Sequence, residues 1–585
     1  INCSCTPALK HNLANASDLA EATKLIEIGN LQEAKTILNN YRAQTSVSPW
    51  VTLLSGKIEE KEKNYSEAFK IYSTIPKDEA ASLDAELGKL RIKNKINQQD
   101  FLKSLSSTSA LEQRLKNARR NDLLAELREL KSSYFPKKST RTETNPQLLL
   151  LKSIKESWNK SFSEKTLSLI SQFKKNYHIS ELSDELKFIY AKTLADMHKD
   201  KEAEASFLNI IESSNVYDYK IRSAKHLAWK AYFSGNISEA EKFFKRGKEI
   251  SGSKLNSSKK SILSNSNNDA NASAQEIRNY LADHTNFLYW QARCLEQLGD
   301  KISSQKLLEQ IVSLAPYSFH AIYSLNQEIN FQNAEKCKDQ IDNVLEEKIA
   351  KISSYGVDEF TANEINWYYS KQGKSFDIIT PLTNTELTNL TQKTSLLIKY
   401  KKANDAAAIS DHAFRIAHFI AKEKNLNLAC VNKLYLNSYP LAYQEDFEST
   451  ATKFNIDPAL TLAVARTESF FNPYARSSAE AKGLMQLLSS TAQNEGLKAN
   501  ESLYHPQTNI YYGTKHISGL AEYYQGKLEY AVAAYNAGKN ATDRWLEKNP
   551  KDDTAAWIEN ISFPETRNYV QKVMTAKKVY EQLLK

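Results

Sequence analysis

The stretch ARTESFFNPYARSSAEAKGLMQL, residues 465–487, puts a carboxylate where an apolar side chain is expected. Leu460, Val464, Glu468 and Phe471 recur at spacings of four, four and three, which is one face of a helix. Asp457 is a good N-cap ahead of Pro458, and Asn472-Pro473 supplies a stop. Glu468 is therefore expected to point with Leu460 and Val464 towards the packed side of an amphipathic helix. Burial disfavours the charged form of a carboxyl, and the negative end of the helix dipole pushes the same way. A carboxyl still protonated near neutral pH is what a general acid requires. Periodicity alone leaves a second reading open, a Glu at the stripe edge reaching water.

Three downstream clusters carry groups that could surround such an acid. GLMQL at 483–487 follows a Ser-rich turn, and Gly483 permits close backbone approach. AAYNAG at 533–538 ends a helix at Gly538 and leaves Tyr535 and Asn536 near its terminus, able to hydrogen-bond a ligand. ISFPETRNYVQ at 561–571 brings Glu565 and Arg567 together ahead of a final helix. Each cluster alone reads equally as core packing, a C-cap or a surface pair.

The elements that must position these groups are helical. The 585 residues include only 15 Gly and 13 Pro, where ordinary usage would give about 41 and 29. An all-α chain of several domains follows. Internal copies support this. GNLQEAKTIL at 29–38, KNYSEAFKIY at 63–72, KDKEAEASFL at 199–208 and GNISEAEKFF at 235–244 share a polar turn, a Glu-Ala step and apolar residues at helical spacing, and GDKISSQKLL at 299–308 is a weaker copy. Such hairpins bury their apolar faces only by stacking, so an irregular superhelix is expected. SGSKLNSSKKSILSNSNNDANASA, 251–274, reads as a long loop or frayed connection. Pro381, in KQGKSFDIITPLTN, and Pro440, in NSYPLAY, read as boundaries. The expected domains are a superhelix over 1–370, a helical linker over 371–448 and a C-terminal domain over 449–585.

The formal charge of +9 comes from 78 basic and 69 acidic residues interspersed along the chain. This pattern does not favour a nucleic-acid partner, whose binders concentrate their charge. The ten His residues form no HExxH and no Cys/His cluster, so no metal site is expected. No run of eighteen apolar residues exists, so no membrane span is expected. Cys3 and Cys5 are too close for an easy mutual bridge, while Cys294, Cys337 and Cys430 lie in helical sequence, where buried free thiols are common, so the disulfide pattern and the compartment stay open.

Taken in order, Glu468-Ser469, GLMQ, AAYNAG and FPETR resemble the motif series of the soluble lytic transglycosylases, and LYHPQTNIYYG at 503–513 extends the likeness from NSYPLAY to the C-terminus. The resemblance implies a ring-like α-superhelix, a linker domain and a lysozyme-like catalytic domain. It implies Glu468 as sole catalytic acid and base, Ser477 as a substrate hydrogen-bonding group, Met485 and Gln486 as groove lining, Tyr535 and Asn536 beside the glycan, and Glu565 as a second acidic residue shaping the site. The substrate implied is peptidoglycan glycan strands, cleaved with 1,6-anhydromuramyl formation and no cofactor. A monomer in the periplasm, its signal peptide removed, is implied too, which would explain an opening at Ile1. The superhelix could hold glycan or protein partners. Ser478, Glu480, Leu488 and Lys539 depart from the family pattern. A muramidase-type hydrolase and a non-enzymatic helical adaptor are the alternatives.

Overall fold

Each repeat copy begins at the same kind of helix junction. The computed structural model describes residues 19–585 apart from 45–47, 119, 135–145, 178–181, 265–273, 329–331, 338–342, 355–357, 372–382, 400–402 and 549–552. Gly29, Lys63, His198, Gly235 and Gly299 all adopt left-handed backbone. The next residue in each case, Asn30, Asn64, Lys199, Asn236 or Asp300, donates its N–H five residues back, at 2.8–3.0 Å. This is the Schellman ending of one helix, and it launches the next. Four residues beyond, Ala34, Ala68, Ala203, Ala240 and Ser304 are buried. Four further on, Leu38, Tyr72, Phe207 and Phe244 are buried as well. A small residue lets the neighbouring helix approach, and a large one fills the next gap.

Tyr72 shows how tight this packing is. Its ring lies between the helices Pro49–Lys61 and Ser82–Ile96. A Cβ at Gly56 would strike one edge of the ring, and one at Gly88 the other. The hydroxyl donates to Glu60 at 2.7 Å. Gly56→Ala and Gly88→Ala are each expected to cost about 1–3 kcal/mol through overpacking. Denaturation of the two variants against wild type checks this.

The run of hairpins returns on itself. Trp50 stacks on Phe360 with centroids 4.3 Å apart, and its Nε1 donates to Glu364 at 3.1 Å. Lys348 bridges Glu364 at 3.1 Å and Glu79 at 2.9 Å. The first helices thus seat on Asp358–Lys371, which precedes the expected linker.

One expectation needs correction here, and one open pattern is settled. Residues 251–264 are not loop; they complete the helix Ile237–Ser264, which pairs with Ala274–Gln297. Packing overrides their weak propensity. Leu255 is buried, Ser251 shares a hydrogen bond with His284 at 3.0 Å, and Gly252 leaves room for that ring. Residues 265–273 of the same stretch lie outside the described residues, as do 372–382 around the boundary at Pro381. Cys337 and Cys430 are not free thiols but a disulfide, tying the segment after residues 332–336 to the helix Leu428–Asn437. Cys294 is buried and free, as expected.

The break at Pro440 stands, because one helix ends at Asn437 and the next runs Gln444–Lys453. Among the described residues no strand forms beyond two isolated bridges near 476–487. No helix among them is long and apolar enough to cross a membrane. The C-terminal helices dock on the superhelix through Asn286, which donates to Glu559 at 2.8 Å, and through Arg293 with Asp553 at 2.9 Å.

Candidate active site

Glu468 sits in the last turn of the helix Pro458–Ser469. Asp457 caps that helix, accepting from the Ala459 N–H at 2.9 Å, with Pro458 in its first turn. The helix differs from the expected amphipathic element. Residues 459–466 are all buried, including Thr461 and Arg466, because the final helix Pro564–Leu583 packs along it and the helices Gln444–Lys453 and Pro506–Tyr523 pack against it too. It also stops earlier than Asn472-Pro473. Phe470 and Phe471 take left-handed backbone, with φ of 50° and 65°. Together they turn the chain so that Phe471 enters the core. Glu480 and Gln486, at 67° and 49°, are also left-handed. Four strained non-glycine residues within one loop cost roughly 1–3 kcal/mol each, a pattern that clusters at functional sites.

The Glu468 carboxyl is half-buried, and its Oε1 accepts a hydrogen bond from the Tyr569 hydroxyl at 2.7 Å. Burial raises its pKa to about 7; the Tyr569 bond opposes that shift and the Glu565 charge adds to it. Tyr535 and Tyr569 are both held well above the usual tyrosine range, first by burial and then by the charge of Glu468. Two neutral phenols and a carboxyl near its midpoint therefore share one pocket. Such an environment stores a proton at neutral pH and can release it.

The GLMQ loop is fastened around this pocket from three sides. Ser469 donates to the Leu484 carbonyl at 2.7 Å. Tyr535 donates to the Met485 carbonyl at 2.8 Å. Asn509, fully buried in the helix Pro506–Tyr523, donates to Lys482 and Leu503 carbonyls at 2.8 Å each and accepts from the Met485 N–H at 2.7 Å. Gly483, with φ of 77°, lies against Asn509 and the Leu503 carbonyl, the close approach its sequence position suggested.

The expected site residues divide accordingly. Glu468 and Tyr535 meet around the pocket. Asn536 follows Tyr535 in the chain, and its Oδ1 accepts from Thr566 at 2.7 Å. Asn536, Ala537, Phe563, Pro564, Glu565 and Thr566 line a hollow of about 360 Å³. Glu565 is exposed there. Gln486 braces the loop, donating to the carbonyls of Ala475 and Gly483 at 3.0 and 2.9 Å. Ser477 closes a turn, its Oγ accepting from Ala481 N–H at 3.1 Å. Met485 departs from expectation. At 0% exposure its side chain does not line a groove; it fills the core against Gly513, and only its backbone serves the site.

Tyr569 and Asn509 were not foreseen. Tyr569 falls one turn after Glu565, at i+4, a spacing that would have placed both on one face of the final helix. Asn509 is an amide in the first turn of a helix that buries Ile510, Tyr512, Thr514, Ile517 and Leu520, and it signals a polar clamp only once its neighbours are known.

Residues 445–558 match the family described as Transglycosylase SLT domain. Over 152 residues, a quarter of this chain, the sequence is 41% identical to a putative soluble lytic murein transglycosylase of Haemophilus influenzae, covering 26% of that protein. Over 304 residues, 50% of this chain, it is 25% identical to the soluble lytic murein transglycosylase of Escherichia coli, covering 43% of it. The matches thus span less than half the length of these curated relatives. The solved 70-kDa soluble lytic transglycosylase of Escherichia coli superposes with a TM-score of 0.52 at 14% identity, covering 98% of this chain and 97% of that one. The motif resemblance is borne out, and so is the fold class: an all-α superhelix followed by a lysozyme-like C-terminal domain.

Proposed function

We propose that the chain is a peptidoglycan lytic transglycosylase with Glu468 as its single acid and base. The observation that carries this is the half-buried carboxyl with a pKa of about 7, hydrogen-bonded to Tyr569 and flanked by Tyr535. Two-carboxylate glycosidases need a nucleophile or a second base facing the acid across the bond. The acidic neighbour here is Glu565, exposed at the N-terminus of the final helix. A single carboxyl suffices when the substrate supplies the nucleophile.

In the proposed reaction Glu468 gives its proton to the glycosidic oxygen between N-acetylmuramic acid and N-acetylglucosamine as the C1–O4 bond breaks. The 2-acetamido oxygen captures C1. The muramyl C6 hydroxyl then displaces it, closing the 1,6-anhydro ring and returning its proton to Glu468. No water is consumed. Gln486, Asn536 and Ser477 offer amides and a hydroxyl for sugar hydroxyls and acetamides. The Cys337–Cys430 disulfide supports an oxidising compartment, here the periplasm.

Mass spectrometry of muropeptides released from sacculi tests the reading. Anhydro ends are expected; reducing ends would instead identify a water-using muramidase, and no release an inactive adaptor. The pH profile gives a second check. The acid must be protonated, so kcat/KM is expected to fall about tenfold per pH unit above pH 7. The Tyr569 hydrogen bond lowers the Glu468 pKa, so Tyr569→Phe should move that basic limb to higher pH.

A further inference from the structure

A short helix lies between the superhelix and the helix that carries Tyr569. Arg293 and Asn286, seven residues apart and so on one face of Ala274–Gln297, hold the two ends of Thr554–Glu559. Arg293 pairs with Asp553, the N-cap of that helix, at 2.9 Å, and the Asn286 Nδ2 donates to Glu559 at 2.8 Å. Between these ends Ala556 joins the apolar cluster of the superhelix.

Glu559 passes the contact on to the final helix. The oxygen that accepts from Asn286 also accepts from Gln571 at 2.7 Å. Arg567 donates to the Glu559 and Ile561 carbonyls at 3.1 and 3.3 Å. Arg567 and Gln571 are four residues apart and share one face of Pro564–Leu583. Tyr569, two residues from each, falls roughly on the opposite face. There its hydroxyl meets Glu468 at 2.7 Å. Fixing the back of the helix therefore fixes where its front presents that hydroxyl. A rotation of roughly 10° carries a group at the helix rim about 1 Å, enough to break a hydrogen bond of ordinary length.

Glu559 is buried, so its bonds are not readily exchanged for bonds to water. His320 stands 4.0 Å from the same oxygen, but burial and the Lys225 charge draw its pKa down to about 3 and keep it neutral. We infer that Glu559 is a positioning residue, through which the superhelix holds Tyr569 against the Glu468 carboxyl. Its consequence for catalysis rests on the proposed function; the coupling does not.

The Tyr569 bond lowers the Glu468 pKa, so loosening it moves that pKa above about 7. The other titratable groups acting on Glu468 are Glu565, also on the final helix, and Tyr535 on Leu528–Ala537. The melting temperature of the full chain, compared with that of its Glu468→Gln counterpart from about pH 5 to about pH 9, reports this pKa without substrate. The difference grows with pH while the folded carboxyl keeps its proton, and levels off above its pKa. Wild type is expected to level near pH 7. Glu559→Ala should move that point up by roughly one pH unit, and Asn286→Ala should move it the same way. Glu559→Gln still offers an oxygen to Asn286 and Gln571 and should stay at the wild-type value. In a Tyr569→Phe background, Glu559→Ala should add no further shift. On murein, the basic limb of kcat/KM should follow the same order.

An unmoved point in Glu559→Ala, beside a lowered melting temperature, would show a structural contact only and overturn the inference. A further shift in the Tyr569→Phe background would overturn it too, because the effect would then bypass Tyr569. If Glu559→Ala does not fold, Asn286→Ala carries the test, and an unmoved point there is the overturning result. The expected shifts without murein cleavage by any form would remove the proposed reaction and leave the positioning role standing.

Discussion

On the proposed function, Glu468→Gln is expected to lower murein cleavage by roughly 10²–10⁴-fold while the chain stays folded. Gln has the same shape, and its amide oxygen can still accept the Tyr569 hydroxyl, so the pocket is preserved. What disappears is the transferable proton. The same variant should alter stability with a defined sign. The Glu468 pKa rises from 4.5 to about 7 on folding. Between those values the folded chain binds more protons than the unfolded one, so wild-type stability falls as pH rises through that window. Above pH 7 the ionised, half-buried carboxylate costs at most about 3 kcal/mol. Glu468→Gln should therefore be more stable than wild type at pH 8 and equal to it near pH 4. Denaturation at both pH values, paired with muropeptide release, checks both halves. Undiminished cleavage by the variant would remove Glu468 from the chemistry.

Gly483→Ala is expected to cost about 3–5 kcal/mol and most of the activity. Two effects act together at this position. The backbone is left-handed, at φ 77°, and a Cβ would collide with the Leu503 carbonyl and the Asn509 amide. Neither neighbour can yield. Asn509 is committed to three hydrogen bonds, and the Leu503 oxygen is part of the backbone. Moving the loop would pull the Met485 carbonyl from the Tyr535 hydroxyl and the Leu484 carbonyl from Ser469. Gly235→Ala is the control. Its φ is 79°, left-handed at a Schellman helix end, but nothing lies within 4 Å of the added carbon, so only the backbone strain of about 1 kcal/mol remains. Equal melting temperatures for the two variants would show that the loop is not clamped.

Much of the fold was legible because helix junctions are written locally. The left-handed residue, the cap and the small and large residues four and eight positions on recur in each copy, and the structure repeats them at Ala34, Ala68, Ala203 and Ala240. Where expectation failed, distant neighbours had the deciding role. Ser-, Asn- and Lys-rich residues 251–264 read as loop until His284 and the helix Ala274–Gln297 packed against them. Met485, quoted in a motif, became core because Gly513 makes room for its sulfur.

Sequence by itself determined the helical class, the stacked hairpins, the cap of the acid-bearing helix and the identity of Glu468 as the candidate acid. The first three follow from spacing and capping within a few residues, whereas Glu468 as the acid is what the motif resemblance implies. Only the tertiary structure decided that the acid helix is buried all round, that Tyr569, 101 residues away, holds Glu468, that Cys337 meets Cys430, and that Trp50 closes the superhelix onto Glu364. The reason is physical. Burial, and with it the proton affinity of a carboxyl, depends on which distant surfaces exclude water, and no local pattern records that.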